Sequence, residues 1–192
     1  MGFAVLRKLK PEFDFTVRHR GFQIHPEWPA EGMPAEQWRP DMDLKTREAL
    51  WERINAMGAA AGVEMKAPGT LANSLLALQA GEFAAEAGAA EVFEDRVFRA
   101  YFSEGLNIGK RDVLVDLGAE VGLVGLDRAA LGEALDSGKY AMRIKNHAQA
   151  ASHLGISGVP TFLIGDWPLV GAQSEDVMRR VLQRARERLD AS

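Results

Sequence analysis

At 192 residues, 47% of them hydrophobic and 26% charged, the chain is long enough to bury a core of its own and fits one domain of ordinary size, or a small domain carrying a large insertion, rather than a disordered chain. Its 23 basic and 27 acidic residues leave a net charge of −4, which argues against a broad nucleic-acid surface, because phosphate binding is driven by concentrated positive charge. It contains no cysteine, so disulfides, thiolate metal sites and cysteine nucleophiles are excluded from these 192 residues.

No window reaches the roughly 18 apolar residues of a membrane span. The opening "MGFAVLRKLK" has too short an apolar run for a signal peptide, and Leu6 stands where a myristoylation motif needs Ser or Thr. The expected location is cytoplasmic, with neither membrane nor nucleic acid as a partner.

In chain order, residues 2–10 place Phe3, Leu6 and Leu9 on one face ahead of Pro11, which predicts a short amphipathic helix. "FDFTVRHRGFQI" alternates Phe13, Phe15 and Val17 with Asp14, Thr16 and Arg18, the period of a half-buried strand over 13–20. "HPEWPAEGMP" is proline-broken loop. From Asp43 to about Leu135 the helical period dominates, in the sets Trp51, Ile54, Met57; Leu71, Leu75, Leu78; Phe93, Val97, Tyr101; Val113, Leu117, Val121; and Leu131, Leu135, with glycines at the joints. A further helix runs from about Lys139 to Leu154, where Gly155 supplies a left-handed stop.

"GISGVPTFLIG", residues 155–165, places a proline between a glycine-rich turn and a short apolar strand, "TFLI", expected to be buried. Gly165-Asp166 turns the chain and "PLVGA" returns it as a hairpin. Ser174 is a good N-cap for the last helix, with Glu175 and Asp176 at the positive end of its dipole and Val177, Val181, Ala185 and Leu189 as the expected buried stripe. The proline has no N–H to give a ladder, so that edge is open for something else.

With these elements in place, the chain resembles the DsbA-like thioredoxin-fold family, most closely its FrnE-like branch of cytosolic oxidoreductases. The most specific segments are "LGISGVPTFLIG" and "GAQSEDVMRRVL", supported by "FQIHPEWPAEG", "ANSLLALQAGEFAAEAG" and "VFEDRVFRAYFSEGLNIGKRDVLVDLGAEVGL". The resemblance implies an α/β thioredoxin-like fold with a large all-helical insertion: 1–34 and 139–192 form the thioredoxin-like domain and 35–138 the insertion. It also implies a cis Val159-Pro160 bond, whose neighbouring backbone pairs with the extended chain of a substrate.

The family's chemistry lives in a Cys-x-x-Cys between a first strand and the first helix, where the helix dipole activates the thiol. In this chain Met1-Gly2-Phe3 is similar to the residues after the second cysteine, so both the first strand and the motif are expected to be missing, and no catalytic residue is assigned. That strand is central in a thioredoxin sheet, so its neighbours, 13–20 and 161–164, are each expected to expose an edge, which re-pairing or a homodimer could satisfy.

The substrate-binding candidates are Gly158, Val159, Pro160 and Thr161 at the proline loop, His25 where the family has a rim asparagine, and Asn73, matching a polar residue near the cleft in relatives. His25 could equally be a loop residue, and Asn73 one lying on a helix surface. No cofactor is implied. Partners are a thiol or disulfide protein or a small molecule such as glutathione. The leading function is a thiol:disulfide oxidoreductase family protein, catalytically incomplete over these residues. The alternatives are a non-catalytic peptide- or glutathione-binding module and an enzyme like 2-hydroxychromene-2-carboxylate isomerase.

Neither His19 with His25 nor His147 with His153 has metal-ligand spacing; the latter two read as a surface pair. The arginines of the last helix, Arg179, Arg180, Arg184, Arg186 and Arg188, read as a solvated face near a helix C-terminus.

Overall fold

A computed structural model of the chain describes residues 1–122, 127–165 and 167–190. The order is α1 (Gly2–Leu9), β1 (Met33–Pro34), a 3-10 turn (Ala35–Gln37), α2 (Leu44–Ala60), β2 (Thr70–Leu71), α3 (Leu75–Glu86), α4 (Ala90–Phe102), α5 (Arg111–Val121), α6 (Arg128–Asp136), α7 (Ala141–His153), β3 (Thr161–Ile164), β4 (Trp167–Val170) and α8 (Glu175–Asp190). Two antiparallel pairs make up the sheet structure of the described residues, β1 with β2 and β3 with β4.

The larger core is helical. Ala77, Ala80 and Ala84 of α3 let α4, α5 and α6 close around Phe93, Val97, Leu114, Leu117, Leu131 and Leu135. The approach is tight at α5: a Cβ on Gly118 would stand 2.8 Å from Leu131 Cδ2. Asp127 caps α6 by accepting from the Ala129 N–H at 3.2 Å, and Gly122 ends α5 in the left-handed conformation at φ +62°.

Polar contacts fasten α7 to α3. The buried Tyr140 donates to Glu86 Oε2 at 2.5 Å, while Arg143 donates to Glu86 at 2.8 Å and to Glu82 at 3.2 Å. The Tyr140 hydroxyl, then Arg143, pull the Glu86 carboxyl down to about 2. Further along, His147 is largely buried, its Nδ1 without a hydrogen bond and 3.5 Å from Glu82 Oε1. This departs from the expected surface pair, because α3 covers the ring of His147 while His153, beyond that contact, stays exposed.

Burial lowers the His147 pKa, against the pull of Glu82 and with repulsion from Arg20 and Arg143. A folded-state value below the unfolded one means stability that is present above the unfolded pKa and lost as pH falls through it. The melting temperature is therefore expected to drop more steeply between pH ~7 and ~5 in the wild type than in His147→Gln. Equal slopes in the two proteins would show that the buried imidazole has no part in it.

The smaller core joins Val5, Leu6 and Leu9 of α1 to Met178 and Leu182 of α8, with Phe13 and Ala61 buried and Phe15, Phe162, Ile164 and Leu169 against them. Arg179 ties α8 to the turn that follows α1 through two 2.8 Å bonds to Glu12. Ser174 caps α8 through the Val177 N–H at 3.3 Å. The buried stripe of α8 is turned from the expected one: Met178 and Leu182 lie inside, Val177, Val181 and Ala185 flank them, and Leu189 is exposed past the end of the core. On α2, similarly, Trp51 and Ile54 are partly covered and Met57 is exposed, since only Gly58 is buried there.

Two expectations about strands fail together. Residues 13–20 form no ladder, and among the described residues no backbone–backbone hydrogen bond involves residues 14–24. "TFLI" is a strand but not a buried one: Leu163 is 53% exposed. Both corrections have one cause, since each segment has an edge to which no strand is bonded, and β3 is covered only on the face of Phe162 and Ile164. Asp166, expected in the hairpin turn, and Leu123, in the quoted helical stretch, lie outside the described residues.

Candidate substrate-docking site

Helix α7 ends as its glycine predicts, with Gly155 at φ +68° and the Ile156 N–H donating to Ala151 at 2.9 Å. The chain then turns through Gly158, whose carbonyl accepts from Thr161 Oγ1 at 2.8 Å. The Val159-Pro160 bond is cis. The Pro160 carbonyl accepts from the Gly171 N–H at 2.7 Å, so the backbone of Pro160 faces β4.

In an antiparallel pair successive residues address opposite sides. With Pro160 facing β4, the N–H and C=O groups of Val159, Thr161 and Leu163 address the outer edge. Across the hairpin Leu163 sits opposite Pro168, whose missing N–H blunts the far edge of β4. The side chain of Val159 is 47% exposed. The result is a short apolar strip with open backbone groups and no charged side chain between Gly155 and Gly165.

The first turn of α1 closes one side of the strip. A Cβ on Gly2 would stand 2.8 Å from Phe162 Cζ and 3.5 Å from Pro160 Cγ, so the start of α1 abuts the proline loop. On the next residue, the Phe3 ring meets His19 edge-on at 4.3 Å and tilts against Phe98 at 5.8 Å, and His19 Nδ1 contacts the Glu94 carboxylate.

His25 and Asn73 meet in a second cluster, built around Trp28. His25 stacks on Trp28 at 4.2 Å and makes a T-shaped contact with Trp38 at 6.3 Å, with Glu27 Oε1 at 2.9 Å from its Nδ1. Asn73 donates to the Trp28 carbonyl at 2.7 Å and accepts from Gln23 Nε2 at 2.8 Å and from the Leu75 N–H at 3.0 Å. Its amide thus pins the chain after residue 20 to the start of α3.

The structure brings Gly158, Val159, Pro160 and Thr161 together and joins His25 to Asn73, but among the described residues no hydrogen bond or ring contact links the two groups. Sequence reasoning missed Gly2, Gln23, Trp28 and Trp38. The signal for Trp28 was its setting between two prolines; a helix-start glycine packed on a distant loop leaves none. Chemically, the strip can offer main-chain pairing and apolar contact, but Gly158, Val159, Pro160 and Thr161 include no acid, base or thiol.

The chain is similar to known proteins over most of its length. A family model described as the DsbA-like thioredoxin domain matches residues 1–183. YwbO, an uncharacterized protein of Bacillus subtilis (strain 168), is 32% identical over 174 residues, covering 88% of this chain and 82% of that protein. The crystal structure of the probable DsbA oxidoreductase SCO1869 from Streptomyces coelicolor superposes with a TM-score of 0.84 at 22% identity, over 96% of this chain and 82% of that one. A 2-hydroxychromene-2-carboxylate isomerase structure superposes at 0.76 with 20% identity, over 100% of this chain and 93% of that one. At those identities the two structures speak to the fold. The matched length of the family model, a proline loop held between α7 and a hairpin, and helices α2–α6 set between the two parts of the smaller core lead to one conclusion: the chain belongs to the DsbA-like thioredoxin domain family, with a helical insertion.

Proposed function

We propose that these 192 residues are the substrate-docking part of a thiol:disulfide oxidoreductase, in which an extended thiol- or disulfide-bearing chain, or a small thiol such as glutathione, lies against Gly158, Val159, Pro160 and Thr161. The observation that carries the reading is the exposed Val159 with open backbone groups, seated against the first turn of α1. In this reading Val159 pairs with the substrate main chain, Thr161 and Gly158 hold the loop's shape through their 2.8 Å bond, and His25 and Asn73 form the rim, Asn73 as a positioning residue. The division into a thioredoxin-like part, 1–34 with 139–192, and an insertion, 35–138, belongs to the same reading and is supported by a larger core built wholly from residues of the insertion, although Ala61 and Val63 of the insertion join the smaller one. The redox pair is not among these residues, since the chain has no cysteine.

The test is a titration of the isotope-labelled full chain with glutathione disulfide and with a short disulfide-bridged peptide. Amide shifts are expected at Gly158, Val159 and Thr161. Shifts confined to the Trp28 cluster, or none at either ligand's solubility limit, would overturn the docking role of the proline loop.

A further inference from the structure

Among the described residues, one that is not glycine takes a positive φ: Arg39, at +54°. The turn it makes is ordinary, leading from the 3-10 turn into α2, with the Arg39 carbonyl accepting from the Met42 N–H at 3.0 Å and from Arg47 Nη2 at 3.5 Å. Glycine or asparagine would make that turn at little cost, whereas a long side chain is strained there, and Pro40 narrows the available backbone further. Strain of this kind persists where the surroundings hold it, and it gathers at binding sites. What needs explaining is the arginine, not the turn.

Its guanidinium lies over the Trp38 ring, 5.0 Å from the ring centre. Trp38 is held in its turn: it meets Trp28 at 6.4 Å and His25 at 6.3 Å, steeply inclined to both, while His25 and Trp28 stack in parallel at 4.2 Å. Three rings thus form a platform under the charge. A guanidinium resting on an aromatic face keeps N–H donors around its edge, and a carboxylate takes such an edge with two parallel hydrogen bonds.

Those donors are unused. Among the described residues the Arg39 side chain makes no hydrogen bond or ion pair, although Glu36 and Asp41 lie three and two positions away. Arg39 is also the only lysine or arginine between residues 21 and 44, a stretch that carries Glu27, Glu31, Glu36, Asp41 and Asp43. Of these, Glu27 contacts His25 and Asp43 caps α2. A single cation among acids accepts one carboxylate, and the same acids repel a polyanion.

We propose that Arg39, seated on Trp38, is a specificity residue that receives one carboxylate of the substrate at the His25 rim. The assignment rests on the reading of His25 as part of the rim, since Trp38 touches that ring, but not on main-chain pairing at Val159. It narrows the substrate class to thiol- or disulfide-bearing chains with an isolated acidic group.

The probes are two short disulfide-bridged peptides with blocked ends, alike except that one carries a single glutamate where the other has glutamine, each titrated into the isotope-labelled full chain. The glutamate peptide is expected to shift the Arg39 Nε–H and the Trp38 indole N–H, and to bind about tenfold or more tightly than the glutamine peptide, by a margin that shrinks as salt is raised. Arg39→Asn suits the left-handed turn and removes the charge; it is expected to bring the two peptides to equal affinity while binding of the glutamine peptide stays at the wild-type level. Arg39→Lys keeps the charge without the fork and is expected to reduce the margin. Equal affinity of the two peptides for the wild type, a glutamate preference that survives in Arg39→Asn, or an equal loss of both peptides in that variant, the mark of a purely structural arginine, would each overturn the proposal. Equal binding with amide shifts at Val159 overturns Arg39 and leaves the docking loop; a glutamate preference with shifts confined to the Trp38 cluster does the reverse.

Discussion

The 192-residue chain is expected to reduce insulin disulfides no faster than the small thiol supplied as reductant. Thiol–disulfide exchange begins with attack of a thiolate on a sulfur and passes through a mixed disulfide. No side chain here can form that bond, because the chain has no cysteine. Nor can the proline loop substitute for it: a valine, a proline, a glycine and a threonine whose hydroxyl is donated to Gly158 hold no activated nucleophile. Membership of an oxidoreductase family and absence of turnover over these residues are therefore compatible, the first resting on fold and docking loop and the second on composition. Turbidity kinetics with a thiol-only control give the answer, and a reproducible rate above that control would mean that another group carries the chemistry.

The second large effect is on stability. Phe93 is fully buried between Leu114, Leu117 and Leu131, and a Cβ on Gly118 would already stand 3.9 Å from its ring, so the surroundings have little room to collapse into a void. Phe93→Ala is expected to cost about 3–5 kcal/mol, a large share of the 5–15 kcal/mol typical of a folded domain. For a chain of this length that corresponds to a fall in melting temperature of about 6–20 °C. Met142→Ala, at a side chain 63% exposed, is expected to change stability by no more than about 0.5 kcal/mol. Urea denaturation of both variants checks the contrast; equal midpoints would remove α4 from the centre of the helical core.

The proline loop was legible because its parts are local. Gly155 at the end of α7, a proline ahead of four apolar residues and a serine cap on α8 each act through neighbours a few positions away, and each lies where its chemistry demands. The Asn73 network was half legible: a polar residue before a helix is an ordinary signal, but its bonds to Gln23 and Trp28 span 50 and 45 positions. His147 was misjudged because its surroundings depend on Glu82 of another helix, which no spacing within α7 reveals.

What the sequence determined alone, then, is the periodicity of the helices, the glycine stops, the hairpin, the absence of a thiol and, by its motifs, the family. These follow from backbone conformation and residue chemistry, which are set within a few residues. Tertiary structure decided which face of α8 is buried, that His147 is covered, that Gly2 meets Pro160 and that an alternating apolar segment at 13–20 forms no strand. Alternation specifies only which side of a strand is buried. A strand exists when its N–H and C=O groups find a partner backbone, and that partner is supplied by another part of the fold.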